Sequence, residues 1–169
     1  FDINAIPVLK THLLNSTDTV DPHRYIINAK SVIPPLPDLI KATNSAGFIN
    51  IKTGTDGIIR RAPLIFSWEK KIFPSLALAT LLKALGDPAV TLKTTTHGIE
   101  SIRIGKNIVP LDRNGQLLIH YRGKGQTFPY FSASHILEGN IGRNELKGKI
   151  ALIGTSAAGL KDWRATPFD

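Results

Sequence analysis

The spacing of apolar residues predicts one clear amphipathic helix near the middle of the chain. The series follows Phe73-Pro74-Ser75 and stops at Gly86, and its members are Leu76, Ala79, Leu82 and Leu85. Apolar residues three and four positions apart share one face of a helix, and glycine commonly follows the last turn. We therefore expect a helix that opens at Phe73-Pro74-Ser75, ends at Gly86 and packs one face against a core.

Weaker patterns of the same kind predict three shorter helices. The first would be capped by Asn4, with Pro7 in its first turn, and its apolar face would consist of Ile6, Leu9, Leu13 and Leu14. The second would run from Pro37 to Ala46 and end at Gly47. The third would begin at Ser132, continue through Leu137 and end at Gly139.

Apolar runs bounded by turn residues predict strands. Turn signals at Thr55-Asp56-Gly57, Glu69-Lys70-Lys71 and Gly105-Lys106-Asn107 separate several of these runs. Pro63 indicates that its strand lies at a sheet edge or is interrupted there, because proline has no amide hydrogen to donate. The predicted strands are Tyr25–Ile27, Phe48–Ile51, Ile58–Trp68, Ser101–Ile104, Ile108–Leu111, Gln116–Tyr121 and Lys149–Gly154.

The last of these runs suggests how the sheet is arranged. Lys149–Gly154 is apolar at consecutive positions, which is typical of a strand buried on both faces of a sheet. Helices and strands mix without strict alternation along the chain. We therefore expect an α/β (mixed α+β) fold in which a mixed central sheet is flanked by helices, with residues 1–169 forming a single domain.

Composition narrows the possible functions. Among 169 residues 42% are hydrophobic and 20% charged, which is typical of a globular domain, and there is no Cys to form a disulfide, a thiolate zinc site or a thiol nucleophile. The net charge of +8 raises nucleic acid as a partner. However, the basic residues are scattered, and the densest groups are only Arg60-Arg61 and Lys147-Gly148-Lys149. We therefore expect no nucleic-acid binding; steep salt-dependent binding to random DNA would reveal it.

The glycine-rich segment Gly154–Gly159 lacks the residues that its two possible chemistries require. A phosphate-binding loop needs lysine after its second glycine, but Leu160 stands there. A hydrolase nucleophile at Ser156 needs a later histidine, and none follows His135. The five histidines show no metal-binding spacing. We therefore expect no catalytic residue, no metal and no cofactor, and keep a soluble α/β hydrolase-like or nucleotide-binding enzyme fragment as the alternative.

Three segments in order resemble a known family. They are Gly47–Asn50 followed by Asp56–Leu64, then Phe73–Ala79, then Leu146–Asp162 with Thr166-Pro167 beyond. Together they resemble the CHASE domain of type two, a sensory extracellular domain associated with cyclases and histidine kinases. The resemblance is strongest over residues 47–169, and it implies that an amino-terminal part of the domain lies outside this sequence.

The resemblance also implies a function. Such domains are the non-catalytic input modules of bacterial membrane receptors, on the extracytoplasmic (periplasmic or extracellular) face of the cell membrane. Their outputs are adenylate or diguanylate cyclases, histidine kinases or serine/threonine kinases. The stimulus would be a small molecule or a protein, the full-length receptor would be a homodimer, and membrane helices would flank the domain. The longest apolar run here, Ile72–Leu82, is about half the length that a membrane span requires.

The residues of these motifs suggest a site for the stimulus. Arg60 and Arg61 point to opposite faces if their segment is a strand, so one could pair with a carboxylate such as Asp162 while the other faces a ligand. The helix that begins at Pro74 and Ser75 could hold an anion at its free amides, or Ser75 could simply cap it. We therefore name Arg60, Arg61, Ser75 and Asp162 as candidate ligand-binding residues. The opposite interpretation, arginines as structural braces, stays open.

Overall fold

The computed structural model describes residues 6–9, 11–15, 20–43, 45–154 and 165–168, with only the backbone for 11–15. Short strands and short helices alternate irregularly within these ranges, which confirms the expected mixed α+β class. In chain order the elements are β1 (Thr11–Asn15), a short 3-10 helix (Pro22–Arg24), α1 (Pro37–Thr43), β2 (Arg61–Pro63), β3 (Ile65–Trp68), β4 (Lys71–Pro74), α2 (Leu76–Ala84), β5 (Val90–Thr95), β6 (Gly98–Ile104), β7 (Asn107–Pro110), β8 (Gln116–Leu118), α3 (Ala133–Leu137) and α4 (Arg143–Leu146).

The largest sheet has four strands in the order β1-β5-β6-β7. β5, β6 and β7 are antiparallel neighbours, whereas β1 runs parallel to β5 and places Leu13 opposite Leu92. Two further antiparallel pairs, β2–β8 and β3–β4, form separate two-stranded sheets. The expected central sheet is therefore one mixed sheet accompanied by two small ones.

The hydrophobic core lies where the four-stranded sheet meets α2 and the β3–β4 pair. Alternate residues of β5 are buried, as expected for a strand with one face on the core. Burial of each large aliphatic side chain contributes about 1.5–3 kcal/mol relative to its exposure. The core residues are Leu9, Ile26, Leu64, Ile65, Ile72, Leu78, Leu82, Val90, Leu92, Ile99, Ile102 and Ile104.

The predicted middle helix is confirmed as α2. Ser75 caps it, because its side-chain oxygen accepts a hydrogen bond from the Leu78 amide, and the chain leaves the helix at Gly86. Leu78, Ala79 and Leu82 form the buried face. Phe73 and Pro74 belong to β4 rather than to the helix.

The two other shorter helices, α1 and α3, match the sequence prediction. α1 begins at Pro37 and ends at Thr43, three residues earlier than expected, where the Thr43 hydroxyl donates to the Leu39 carbonyl. α3 follows Ser132 and is succeeded by Gly139 in a left-handed conformation. The four-residue α4 was not predicted, because a single turn leaves no repeating apolar pattern.

The helix predicted at the start of the chain is wrong over Thr11–Asn15. This stretch is β1, whose five residues pair with β5; Asn4 lies outside the described residues. The helical spacing of apolar residues here is a coincidence, overridden by pairing with a strand some eighty positions later in the chain. β5 itself was missed, although its alternating burial is typical of a strand.

Four predicted strands differ from the structure: two are absent, one is divided and one is shorter than expected. Tyr25–Ile27 and Phe48–Ile51 are not strands; single bridges join Asn28 to Ser67 and Phe48 to Ser75 instead. Ile58–Trp68 divides into β2 and β3 around Leu64, which confirms the interruption expected near Pro63. The fourth, Gln116–Tyr121, is a strand only from Gln116 to Leu118. In contrast, the hairpin around Gly105-Lys106-Asn107 is confirmed as β6 and β7.

The prediction of a buried strand at Lys149–Gly154 is wrong. The segment has no regular secondary structure, Leu152 is 82% exposed and Ile153 is fully exposed. A strand apolar on both faces is stable only when other strands and covering layers surround it. In the described part of the chain, the strands of the largest sheet pair with one another around β5 and β6. None of them pairs with residues 149–154.

Candidate functional site

Arg60 braces the turn that precedes it. Its Nη1 donates to Asp56 Oδ2 at 2.7 Å, and Asp56 Oδ1 accepts the Ile58 amide at 3.1 Å. The guanidinium holds the pKa of Asp56 below its usual value of 3.8, and the Ile58 amide acts in the same direction. Both side chains of the ion pair are about half exposed. Arg60 therefore closes a local loop and still reaches solvent.

Arg61 reaches a different carboxylate. Its Nη1 lies 3.6 Å from Asp112 Oδ2, in the turn before β8. The other oxygen of Asp112 accepts the amides of Asn114 and Gln116 at 3.0 and 2.9 Å, so the carboxylate is already fixed by its own turn. Because β2 pairs with β8, this contact strengthens an existing link between the two strands. The two arginines diverge to separate partners, as adjacent residues in an extended chain should.

Ser75 has a structural role at the start of α2. Besides capping Leu78, it donates its own amide to the Leu64 carbonyl at 2.8 Å, and its side chain is buried. The next amide, that of Leu76, donates to the Phe48 carbonyl at 2.8 Å. The backbone at Gly47 passes so close that a Cβ there would lie 2.5 Å from Leu76 Cα. The chain itself therefore occupies the helix start that an anion would need.

Within the protein, the three described candidates each contact a different partner: Arg60 contacts Asp56, Arg61 contacts Asp112, and Ser75 caps α2. Asp162 lies outside the described residues, so its pairing with an arginine stays a prediction, and so does any ligand role for the four residues. Nearby, the Ala165 carbonyl accepts the Ile59 amide at 3.0 Å, so part of the tail does dock beside β2.

A cleft with a volume of about 280 Å³ lies beyond β8. The loop 121–128 forms most of its wall, and Tyr130 and Thr166 complete it. Tyr121 fixes one side: its hydroxyl donates to the Ile59 carbonyl at 2.7 Å, and its ring meets that of Phe168 edge-on, with centroids 6.3 Å apart. We name this feature the Tyr121 cleft.

Sequence reasoning missed the Tyr121 cleft, although its loop has a distinctive composition. Basic residues alternate with glycine in Arg122-Gly123-Lys124-Gly125, and Phe128 and Tyr130 follow. That combination of cations, glycines and aromatic rings was a usable signal. The position of the tail opposite the loop was not, because the contact joins segments more than forty residues apart.

The residues that the structure describes form neither a metal-binding cluster nor a membrane-spanning helix. Within them, no three His, Cys, Asp or Glu side chains are grouped so that they could bind a metal ion. Among the helices of the described ranges, none has the length and apolar character needed to cross a bilayer.

Comparison with known families identifies the class of the protein. The model of the CHASE2 domain matches residues 7–169. The chain therefore belongs to the CHASE2 domain family, as its motifs suggested, and this is a family of extracellular sensory domains in signalling proteins. Searches of curated proteins and of solved structures found no match.

Proposed function

We propose that this chain is the extracytoplasmic input domain of a bacterial transmembrane signalling protein and is not itself catalytic. The observation that carries the proposal is the CHASE2 match over residues 7–169. A stimulus that binds one of two conformations more tightly shifts the population toward it, by no more than the difference in binding free energy. The domain would pass this shift to the rest of the receptor.

The remaining parts of the proposal follow from the family. The receptor would be a homodimer with membrane helices outside this sequence, and its output an adenylate or diguanylate cyclase, a histidine kinase or a serine/threonine kinase. The stimulus would be a small molecule or a protein. Nucleic acid is not a proposed partner, and one observation supports this: both members of the basic pair Arg60-Arg61 already face carboxylates.

The absence of cysteine allows a direct test of location. Lys106 sits at an exposed hairpin turn, so Lys106→Cys in the full-length protein should react with a membrane-impermeant maleimide in intact cells. The unmodified full-length protein controls for cysteines elsewhere. If the new thiol reacted only after the cells were lysed, the extracytoplasmic location would be wrong.

A second test addresses catalysis and the alternative of a hydrolase-like enzyme. Ser156→Ala removes the serine of the glycine-rich segment, which lacks a following histidine base. We expect the chain to hydrolyse an activated ester no faster than its Ser156→Ala variant does. A robust esterase activity that disappears in the variant would contradict the non-catalytic assignment.

A further inference from the structure

We propose that the Tyr121 cleft binds a small organic anion that carries one flat apolar ring, such as an aryl phosphate or aryl carboxylate. The inference concerns binding alone. Only its signalling consequence rests on the proposed function, so binding can be tested with the chain itself.

The positive charge of the cleft is the first argument. Arg122 and Lys124 line it, and both side chains are exposed. The ion pairs formed within the described residues use other cations, namely Arg60, Arg61, Lys83 and Lys93. Cations in a concave surface raise the local concentration of anions, and a guanidinium offers paired donors to phosphate or carboxylate. An anionic ligand would therefore gain both attraction and orientation.

The shape of the loop is the second argument. The Thr127 hydroxyl donates to the Lys124 carbonyl at 2.6 Å, which closes a tight turn. Gly123 has φ near +145°, and a Cβ there would lie 2.9 Å from Thr127 Oγ1, so only glycine fits without movement. A loop held in this way has less conformational entropy to lose when a ligand binds.

The aromatic lining is the third argument, and it sets the ligand class. Phe128 and Tyr130 are 65% and 76% exposed, while Tyr121 is fixed by its hydroxyl. A flat ring placed against them would remove apolar surface from water and allow offset stacking. The volume of about 280 Å³ is at the lower limit of ordinary ligand sites, so the ligand should contain a single ring.

The experiment is a titration of the isotopically labelled chain with phenyl phosphate, followed by the backbone amide signals of residues 122–128. We expect saturable shifts confined to this loop and its neighbours. Arg122→Gln and Lys124→Gln should each weaken binding about threefold, and the double variant about tenfold, because exposed ion pairs contribute modestly. Circular dichroism and melting curves should show that all variants fold, since both side chains are exposed.

Matched controls separate this site from diffuse charge. Lys106→Gln removes the same charge from the exposed β6–β7 turn and should leave the affinity unchanged. If it weakened binding as much as Lys124→Gln does, the proposal of a localised site would be wrong. Inorganic phosphate lacks the ring and benzyl alcohol lacks the charge, so both should bind more weakly than phenyl phosphate. Equal affinity for inorganic phosphate would overturn the ring assignment.

A lipid headgroup could supply the same phosphate chemistry. Vesicles of phosphatidylcholine, with and without phosphatidylglycerol, distinguish the two sources. We expect the loop signals to respond to phenyl phosphate at concentrations where the vesicles have no effect. Loss of the loop signals with the anionic vesicles, together with no response to phenyl phosphate, would replace the soluble ligand with a membrane surface and overturn the proposal.

Discussion

Two regions of the chain are similarly apolar in sequence, but one is buried in the fold and the other is exposed. β6, with the sequence Gly98–Ile104, lies between β5 and β7 and buries Ile99, Ile102 and Ile104. The segment 148–154 is richer in apolar residues, yet throughout 122–154 the structure buries no residue at all. The difference is the presence of neighbouring strands. Apolar sequence supplies the tendency to be buried, and sheet partners determine whether burial happens.

Truncating one aliphatic side chain from each region should give the greatest difference in stability. Ile102→Ala should cost about 2–5 kcal/mol of the free energy of unfolding, because Ile102 is fully buried between two strands. Leu152→Ala should change it by no more than about 0.5 kcal/mol, as is usual for an exposed side chain. Urea denaturation of the chain measures both.

The stability of the Leu152→Ala variant also tests whether segment 148–154 is exposed in solution. A cost as large as that of Ile102→Ala would mean that segment 148–154 is buried in solution. Repeating the measurement at several protein concentrations would then show whether a second copy covers it, since association makes stability depend on concentration.

The next effect compares two serines that precede helices. Ser75→Ala should cost about 1 kcal/mol, because it removes the hydrogen bond that caps α2. Ser132→Ala is the matched variant: Ser132 stands at the same position before α3 but makes no capping bond, so we expect a much smaller change. Equal costs for the two variants would show that α3 is more tightly held than its exposure indicates.

The smallest effect concerns pH and the Asp56–Arg60 pair. Since this pair lowers the pKa of Asp56 in the folded state, its contribution is present above the usual value of 3.8 and is lost as pH falls through the lower, folded value. Arg60→Gln should therefore lower the urea midpoint slightly at about pH 6 and by less at about pH 2.5. Lys106→Gln provides a control for the loss of charge alone. A difference that grows with acidification would reverse the assigned sign.

Local signals explain which parts of the fold could be predicted from the sequence. α2, the β6–β7 hairpin and the break near Pro63 are each specified by neighbouring residues, and each is confirmed. β1 was misread and β5 was missed because the two strands pair across some eighty residues. The prediction for Lys149–Gly154 was wrong because a continuous apolar run indicates only that a strand could be buried. The run does not show whether other strands lie beside it.

The candidate site divides in the same way. Asp56 is four residues from Arg60, so that ion pair was within reach of sequence reasoning, whereas Asp112 is fifty-one residues from Arg61. The cap at Ser75 was anticipated as one of two roles. Gly47 and Phe48 contact the first residues of α2 from a segment almost thirty residues earlier in the chain. Such a long-range contact leaves no local pattern in the sequence.

The hydrogen bond from the Ile59 amide to the Ala165 carbonyl allows movement of the tail to be followed by hydrogen exchange. Ile59 is buried, and its amide hydrogen points to a carbonyl of the tail rather than to a strand of the core. We therefore expect its exchange with solvent deuterium to follow release of the tail, and the amides of β6 to exchange through larger openings. Thr166, the next residue of the tail, lines the Tyr121 cleft, so occupation of the cleft should slow this one exchange rate selectively.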